Sequence, residues 1–430
     1  MSQNRIYLCL AHMSEAGVEQ KYVKEAFDTN WVVPLGPNVN GFEADLKEFV
    51  QTPQSSSDSS PNLGAQNKEV VALASGTSAV HLALLACGVG PGDEVIVQSF
   101  TFCASSHPIT YLGATPVFVD SESETWNIDP ELLEVAIKDR IAKTGRKPKA
   151  IVPVALYGMP YQMDRIMEIA DRYGIPVIED AAEGFGSRFG GQVLGTFGKY
   201  GVLSFNGNKM ITTSGGGALI CPDMEAKNKI MWYATQAREA YPYYQHEAIG
   251  YNYRMSNVCA GIGRGQMTIV EDHISHHRHV AQLYKEAFAK VKGITFHDET
   301  EGMMSNFWLS TILLDENLKV KGEELAYAEA VNGAVGGAAG VVHGGGSVHT
   351  DCEPNRNVEA MRMALDKEGI ESRPLWKPMH KQPVYKNAPA YVNGVSEGLF
   401  KRGLCLPSGP YVKDDDVKRI IDTIINSIEG

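Results

Sequence analysis

Between Lys68 and Asp180 the chain repeatedly offers a short apolar run, a polar or glycine break, and then a helical pattern. EVVALA (69–74), EVIVQ (94–98), TPVFVD (115–120), AIVPVAL (150–156) and IPVIED (175–180) are strand-length and rich in β-branched residues. Continuous apolar runs suit strands covered on both faces, as in a parallel sheet. TSAVHLALLACG, SSHPITYLG, DPELLEVAIKDRIAKTG and QMDRIMEIADRYG lie between them and read as helices. Parallel strands need crossover connections, so the alternation restricts this part of the chain to an α/β domain with right-handed crossovers.

The 430 residues exceed one such unit. Longer helical patterns after about residue 271, then IESRPLW (370–376) and the closing DDDVKRIIDTIINSI, predict a smaller C-terminal α+β domain. The expected division is therefore 1–270 and 271–430. Two stretches interrupt the pattern: QTPQSSSDSSPNLGAQN (51–67) reads as an exposed loop, and AVNGAVGGAAGVVHGGG (330–346) is too glycine-dense for a stable helix.

A formal charge of -12 argues against a general nucleic-acid binder, which needs a cationic surface, but permits a local basic pocket. No apolar run is long enough to span a bilayer, and MSQNRIYLCLAHMSEAG lacks the apolar core of a secretory signal, so a cytoplasmic location is expected. The seven cysteines are odd in number, scattered and without a CxxC pair, which predicts free thiols in a reducing compartment.

Three places carry chemistry. Ser75-Gly76-Thr77-Ser78 follows the first strand and opens a helix, whose free N–H groups and positive dipole end favour a phosphate; a plain Ser or Thr cap reads the same way. IPVIED ends in Glu179 and Asp180 at the carboxyl end of a strand, where an open parallel sheet places its ligand crevice. An acid there is partly desolvated and needs a cation, a donor or a proton, although a helix-capping Asp is equally common. SFNGNKMITTSGGGAL (204–219) then follows the strand-like GVLSF (201–205) and places Lys209 among small residues that let a ligand approach. Together, a phosphate-ready helix start, a strand-end acid and a later lysine meet the needs of pyridoxal phosphate. No metal is expected: no suitably spaced His or Cys lies near Asp180. HISHHRH (273–279) puts pairs of histidines three and four apart, but a polar run with Arg278 inside it predicts a solvated helix face.

SGTSAVHLAL, SFTFCASSHPITYLGATPVFVD, LYGMPYQMD, IEDAAEGFGS, LGTFGKYGVLSFNGNK and YNYRMSN together resemble the nucleotide-sugar aminotransferases of the DegT class over roughly residues 25 to 425. The resemblance implies the type I, aspartate aminotransferase-like fold: a large domain with a mostly parallel central sheet and a smaller α+β domain. It implies that Lys209 forms the Schiff base with pyridoxal 5'-phosphate and that Asp180 partners the pyridinium nitrogen. Phe102 would stack on the ring; Gly76, Thr77 and Ser204 would bind the phosphate. Asn252 would reach the phosphate of a neighbouring subunit, implying a homodimer with shared sites. Glu183 stands near the cofactor's 3-oxygen, where many members carry His or Gln; there it must be protonated, accept a donor elsewhere or turn away. SFNGNKMITTSGGGAL, GYNYRMSN, SRPLWKPMH and LCLPSG are most similar to the UDP-sugar 4-aminotransferases of the bacillosamine pathway. That implies glutamate as donor, a UDP-linked 4-keto-6-deoxy-N-acetylhexosamine as acceptor, and a role in bacterial glycan biosynthesis. Arg254, Arg373, Lys377 and His380 are the candidates for its diphosphate. The alternatives are a GDP- or dTDP-linked or 3-keto substrate, or a non-catalytic regulatory homologue. In the dehydratase branch of the fold histidine replaces the lysine, so Lys209 counts against it.

Overall fold

The computed structural model describes residues 5–51, 67–327 and 352–429. The expected loop 51–67, apart from its two ends, and the glycine-rich 330–346 lie outside them.

Seven strands form the central sheet: β1 (Glu69–Leu73), β2 (Glu94–Gln98), β3 (Thr115–Val119), β4 (Ala150–Val152), β5 (Ile178–Asp180), β6 (Tyr200–Ser204) and β7 (Gly217–Cys221). Their spatial order is β1-β7-β6-β5-β4-β2-β3, with β4 and β5 joined by the bridges Ile151–Val177 and Val154–Asp180. Only β7 runs against its neighbours, so the sheet is mostly parallel as the apolar runs predict. A two-residue strand, Ala390–Tyr391, extends the β3 edge in parallel. β4 is shorter than its apolar run because Pro153 has no N–H to continue the ladder. Its carbonyl still accepts from Asp180 at 2.9 Å, and Ala155 donates to the Asp180 carbonyl at 3.0 Å, which holds the strand end carrying the acid.

Helix Gly76–Ala86 follows β1 and is buried from Ser78 to Leu84. Apolar residues on every face beyond its first turn, interrupted only by the buried His81, suit an element enclosed on all sides. Ser75 caps it, accepting the Ser78 N–H at 3.0 Å.

A second, antiparallel sheet of Ile294–Phe296, Ser310–Leu314, Gly403–Leu406 and Arg373–Pro374 packs a separate apolar cluster that includes Tyr284, Phe288, Ile312, Leu404 and Ile420. Ile6 joins this cluster and bridges Ile370, so the first described residues pack on the C-terminal part of the chain.

Helix Val270–Phe288 corrects one expectation. His273 and His277 are buried rather than solvated, because they share a stripe with Val270, Ile274, Val280, Ala281, Tyr284 and Phe288. The solvated reading holds in part for the other side of the run, where Ser275 and His279 are exposed and His276 and Arg278 half-buried, His279 pairing with Asp414 and Arg278 with Glu299. None of the seven cysteines forms a disulfide. Among the described residues no helix is long and apolar enough to cross a membrane, and no cluster of three or more His, Cys, Asp or Glu could hold a metal ion.

The three consecutive glycines 215–217, the last of which opens β7, differ in purpose. A methyl group added at Gly217 would press on backbone, 2.5 Å from the Ser75 carbonyl carbon and 2.7 Å from the Leu203 oxygen; at Gly215 it would meet nothing within 4 Å. Gly217 thus lets β7 approach the start of helix Gly76–Ala86. Gly217→Ala is expected to cost about 1–3 kcal/mol of unfolding free energy, whereas Gly215→Ala should change it by less than about 0.5 kcal/mol. Chemical denaturation of both variants checks this, and equal stabilities would remove the steric reading of Gly217.

Candidate active site

The carboxyl ends of β1, β5 and β6 and the loop after β2 surround a cavity of about 280 Å³. Gly76, Thr77, Phe102, Asp180, Glu183, Ser204 and Lys209 all line it, so residues spread over more than 130 positions meet at one place. Parallel topology explains the convergence, because every parallel strand delivers its carboxyl end to the same edge.

The two acids that end β5 point to opposite faces, as successive strand residues must. Glu179 is held by the N–H groups of Gly195 (2.8 Å) and Gly198 (2.5 Å) and by the Tyr161 hydroxyl (2.8 Å). Its partners are all structural. Asp180 faces the cavity, where burial pushes its pKa up. The Ser105 hydroxyl donates to it at 2.6 Å and the Ala182 N–H at 3.2 Å; these bonds and the charge of Lys209 pull the other way. Ser105 is steadied in turn by Thr101 at 2.8 Å.

Glu183 is also buried and its pKa raised by desolvation. One oxygen accepts the Tyr157 N–H at 2.7 Å; the other lies 3.6 Å from the Lys209 amine. It therefore meets the sequence-based requirement by accepting a donor elsewhere, with burial favouring the protonated form. The Lys209 amine sits over the Trp308 indole, 3.9 Å from the ring centroid, and the Trp308 N–H donates to the Asn208 carbonyl at 2.6 Å.

Helix Gly76–Ala86 presents its first N–H groups at Gly76 and Thr77, which have no intrahelical acceptor. Ser204, which ends β6, lies against them: a Cβ added at Gly76 would come within 3.0 Å of the Ser204 Cβ. Phe102 is about half exposed and meets Trp376 with ring centroids 5.4 Å apart.

The remaining sequence candidates lie outside this cavity. Asn252 is exposed and accepts from Gln236 at 3.3 Å. Arg254 is ion-paired with Glu43 and donates to the Ala72 carbonyl at 3.3 Å, its side chain only 8% exposed. Its Nη1 is thus already engaged inside the fold. Arg373 pairs with Glu371 at 3.0 Å, and His380 Nδ1 lies 2.7 Å from the Ser99 hydroxyl. Lys377 sits on the same loop, whose Trp376 does line the cavity. Sequence reasoning missed Ser105, Trp308 and Trp376. Ser105 sat inside a run read as helix, and nothing in SNFWLS marks Trp308 as a neighbour of Lys209.

Comparison with known proteins agrees with this geometry. The model of the DegT/DnrJ/EryC1/StrS aminotransferase family matches residues 14–336 and 345–425. The chain is 41% identical over 426 residues to EpsN of Bacillus subtilis (strain 168), covering 98% of this chain and 95% of that protein. It is 33% identical over 420 residues to GDP-perosamine synthase of Escherichia coli O157:H7, covering 97% and 98%. A solved DegT DnrJ EryC1 StrS aminotransferase from Brucella abortus superposes with a TM-score of 0.78 at 28% identity, covering 96% of this chain and 95% of that one. Matches that run through both sheets and past every cavity residue leave one conclusion: the chain belongs to the DegT/DnrJ/EryC1/StrS aminotransferase family, whose enzymes work with pyridoxal phosphate.

Proposed function

We propose that this aminotransferase carries the amino group of L-glutamate to the 4-keto carbon of a UDP-linked 6-deoxy-N-acetylhexosamine, giving a UDP-4-amino-4,6-dideoxy-N-acetyl sugar for bacterial glycan synthesis. The observation that carries the amino-transfer reading is the meeting of Lys209, Asp180 and Glu183 in one buried cavity beside a helix start whose Gly76 and Thr77 N–H groups have no intrahelical acceptor. The UDP and 4-keto assignments rest on SFNGNKMITTSGGGAL and SRPLWKPMH, which bring Lys209 and Trp376 to the cavity wall. A GDP-linked sugar is the second reading, favoured by the similarity to GDP-perosamine synthase.

The donor set fits pyridoxal phosphate. A buried carboxyl whose pKa is raised by desolvation is stabilised in its charged form by a cationic N–H, which a pyridinium nitrogen would provide. A glycine backbone packed against Ser204 at a helix N-terminus offers N–H groups and a hydroxyl to a phosphate. In this assignment Gly76, Thr77 and Ser204 hold the phosphate, Asp180 the ring nitrogen, Phe102 a ring face, and Lys209 the covalent anchor. Glu183 lies near the 3-oxygen. Asn252, outside its own chain's cavity, would serve the site of a second copy in a homodimer. Arg373, Lys377 and His380 remain candidates for the substrate diphosphate.

When bound, the cofactor supplies an aldehyde that takes up the amine and a protonated ring that accepts the electron pair from a broken C–H bond. With the cofactor bound, the amine of Lys209 would serve as general base and acid, taking the α-proton of the donor and returning it to the carbon beyond the amine nitrogen. Asp180, kept ionised by accepting the ring N–H, would keep the ring nitrogen protonated. Ser105 and Ala182 fix the carboxylate's orientation so that this bond has one geometry.

The purified protein, given glutamate and a panel of UDP-, GDP- and dTDP-linked 4-keto and 3-keto sugars, is expected to aminate the UDP-linked 4-keto sugar fastest, read by product mass and NMR. A preference for a GDP- or dTDP-linked sugar overturns the nucleotide assignment. Lys209→Ala should lower turnover by at least about ten thousandfold with the fold intact; substantial residual transfer would mean another lysine is the anchor. Asp180→Asn should behave in two ways. Because burial raises the native pKa of Asp180 above its unfolded value, its ionisation erodes stability as pH rises from the ordinary carboxylate range towards that raised value. The cofactor-free variant is therefore expected to melt higher than the cofactor-free parent at neutral pH, while turnover falls about a thousandfold. Calorimetry with steady-state kinetics checks both, and a lower melting temperature would contradict the assigned cost of the buried charge.

A further inference from the structure

His273 and His277 stand one helical turn apart on the buried stripe of helix Val270–Phe288. Each aims Nδ1 at a backbone carbonyl: His273 at Met210, 3.0 Å away, and His277 at Phe307, 3.2 Å away. Met210 follows Lys209 in the chain, and Phe307 precedes Trp308. These are the two residues whose side chains meet in the amine-over-indole contact of the cavity. The Trp308 N–H grips Asn208, on the other side of Lys209. The carbonyls of the residues on either side of Lys209 are thus both engaged, Asn208 by Trp308 and Met210 by His273.

The chemistry of the two bonds is fixed by their acceptors. A carbonyl oxygen can only accept, so each Nδ1 carries the proton. Burial disfavours the charged ring, pushing His277 down to about 3 and His273 below its ordinary value, so each Nε2 is unprotonated. Both Nε2 atoms are buried without a hydrogen-bond partner among the described residues. An apolar side chain at either position would avoid that cost, which is on the order of 1–3 kcal/mol for a lost partner. What the imidazole offers in exchange is the Nδ1–H. Phe307 has need of such a donor, because it is a bulky residue in the left-handed region, with φ 48°, a conformation that persists only where its surroundings hold it.

We propose that His273 and His277 are positioning residues that brace Lys209 and Trp308 through the Met210 and Phe307 carbonyls. This rests on Lys209 being the anchor of the cofactor, and it extends that reading to a helix outside the cavity. The brace keeps the amine at one height and angle over the indole, so that it delivers its proton along one path.

The test compares His273→Asn and His277→Asn, in which the amide N–H replaces Nδ1–H, with His273→Phe, His277→Phe, His273→Leu and His277→Leu, which have no donor. All are prepared as holoenzymes and measured for turnover, for circular dichroism of the visible cofactor band, and for melting temperature. The Phe and Leu variants are expected to lose about three- to tenfold in kcat, the worth of one net hydrogen bond, and to show a weakened visible dichroism even where they melt as high as the parent. The Asn variants should keep both signals within about twofold, even where they melt lower. Unchanged kcat and dichroism in the donor-free variants, or Asn variants that fall as far as Phe and Leu, would overturn the brace and leave only packing. Lys209→Ala run alongside separates the two readings. If it retains turnover, the anchor assignment fails; if it alone loses turnover, the brace alone fails.

Discussion

Desolvation drives the Asp180 carboxyl towards its protonated form, and a hydroxyl, an N–H and one lysine oppose it. Glu183, three residues on, is under the same pressure with a single backbone donor and the same lysine. Lys209 is the only cation among the described residues that line the cavity. The cofactor-free fold therefore concentrates more buried acid than base at the sheet's carboxyl edge. Such an arrangement survives only where surrounding structure is over-determined, and strand pairing on both sides of β5 supplies that. The same imbalance readies the site for a cationic ring nitrogen.

The edge does not act alone. Asn306 donates to the carbonyls of Glu183 and Phe185 at 3.0 and 2.9 Å, tying the segment that carries Trp308 to the loop that follows Asp180. From the other side, Glu43 neutralises Arg254 and takes the Ala72 N–H at 2.9 Å, so the strand leading to Gly76 is fixed by a buried ion pair.

What was legible in the residues follows from which forces act locally. EVIVQ coincides with β2 because polar residues bound the apolar run at both ends. AIVPVAL overshoots β4, since an apolar run does not reveal where a proline cuts the ladder. β7 escaped notice because glycines precede a run of only four apolar residues, and its antiparallel direction has no local signature. Lys209, Asp180 and the Gly76 helix start were visible because each needs a recognisable local setting. Ser105 and Trp308 were not, since their partners lie 75 and 100 residues away. HISHHRH misled by composition, although the spacing of Val270, His273, Ile274, His277 and Ala281 marks one buried stripe.

Tyr157 shows how the two cores become one site. It is buried, with a left-handed backbone at φ 54°, and its N–H holds Glu183 while its hydroxyl accepts the Trp376 N–H at 2.7 Å. A non-glycine residue in that region is strained, and here the strain aims one end of the residue at the acid and the other at the loop of SRPLWKPMH. The ring also stacks near Trp376, with planes 19° apart. Position of the cavity wall and orientation of Glu183 are consequently set by one residue, the first through its hydroxyl and the second through its backbone N–H. A shift of the C-terminal sheet relative to the large one must then move the Glu183 carboxyl or break one of the two bonds, which couples the wall that faces the substrate to the acid beside Lys209.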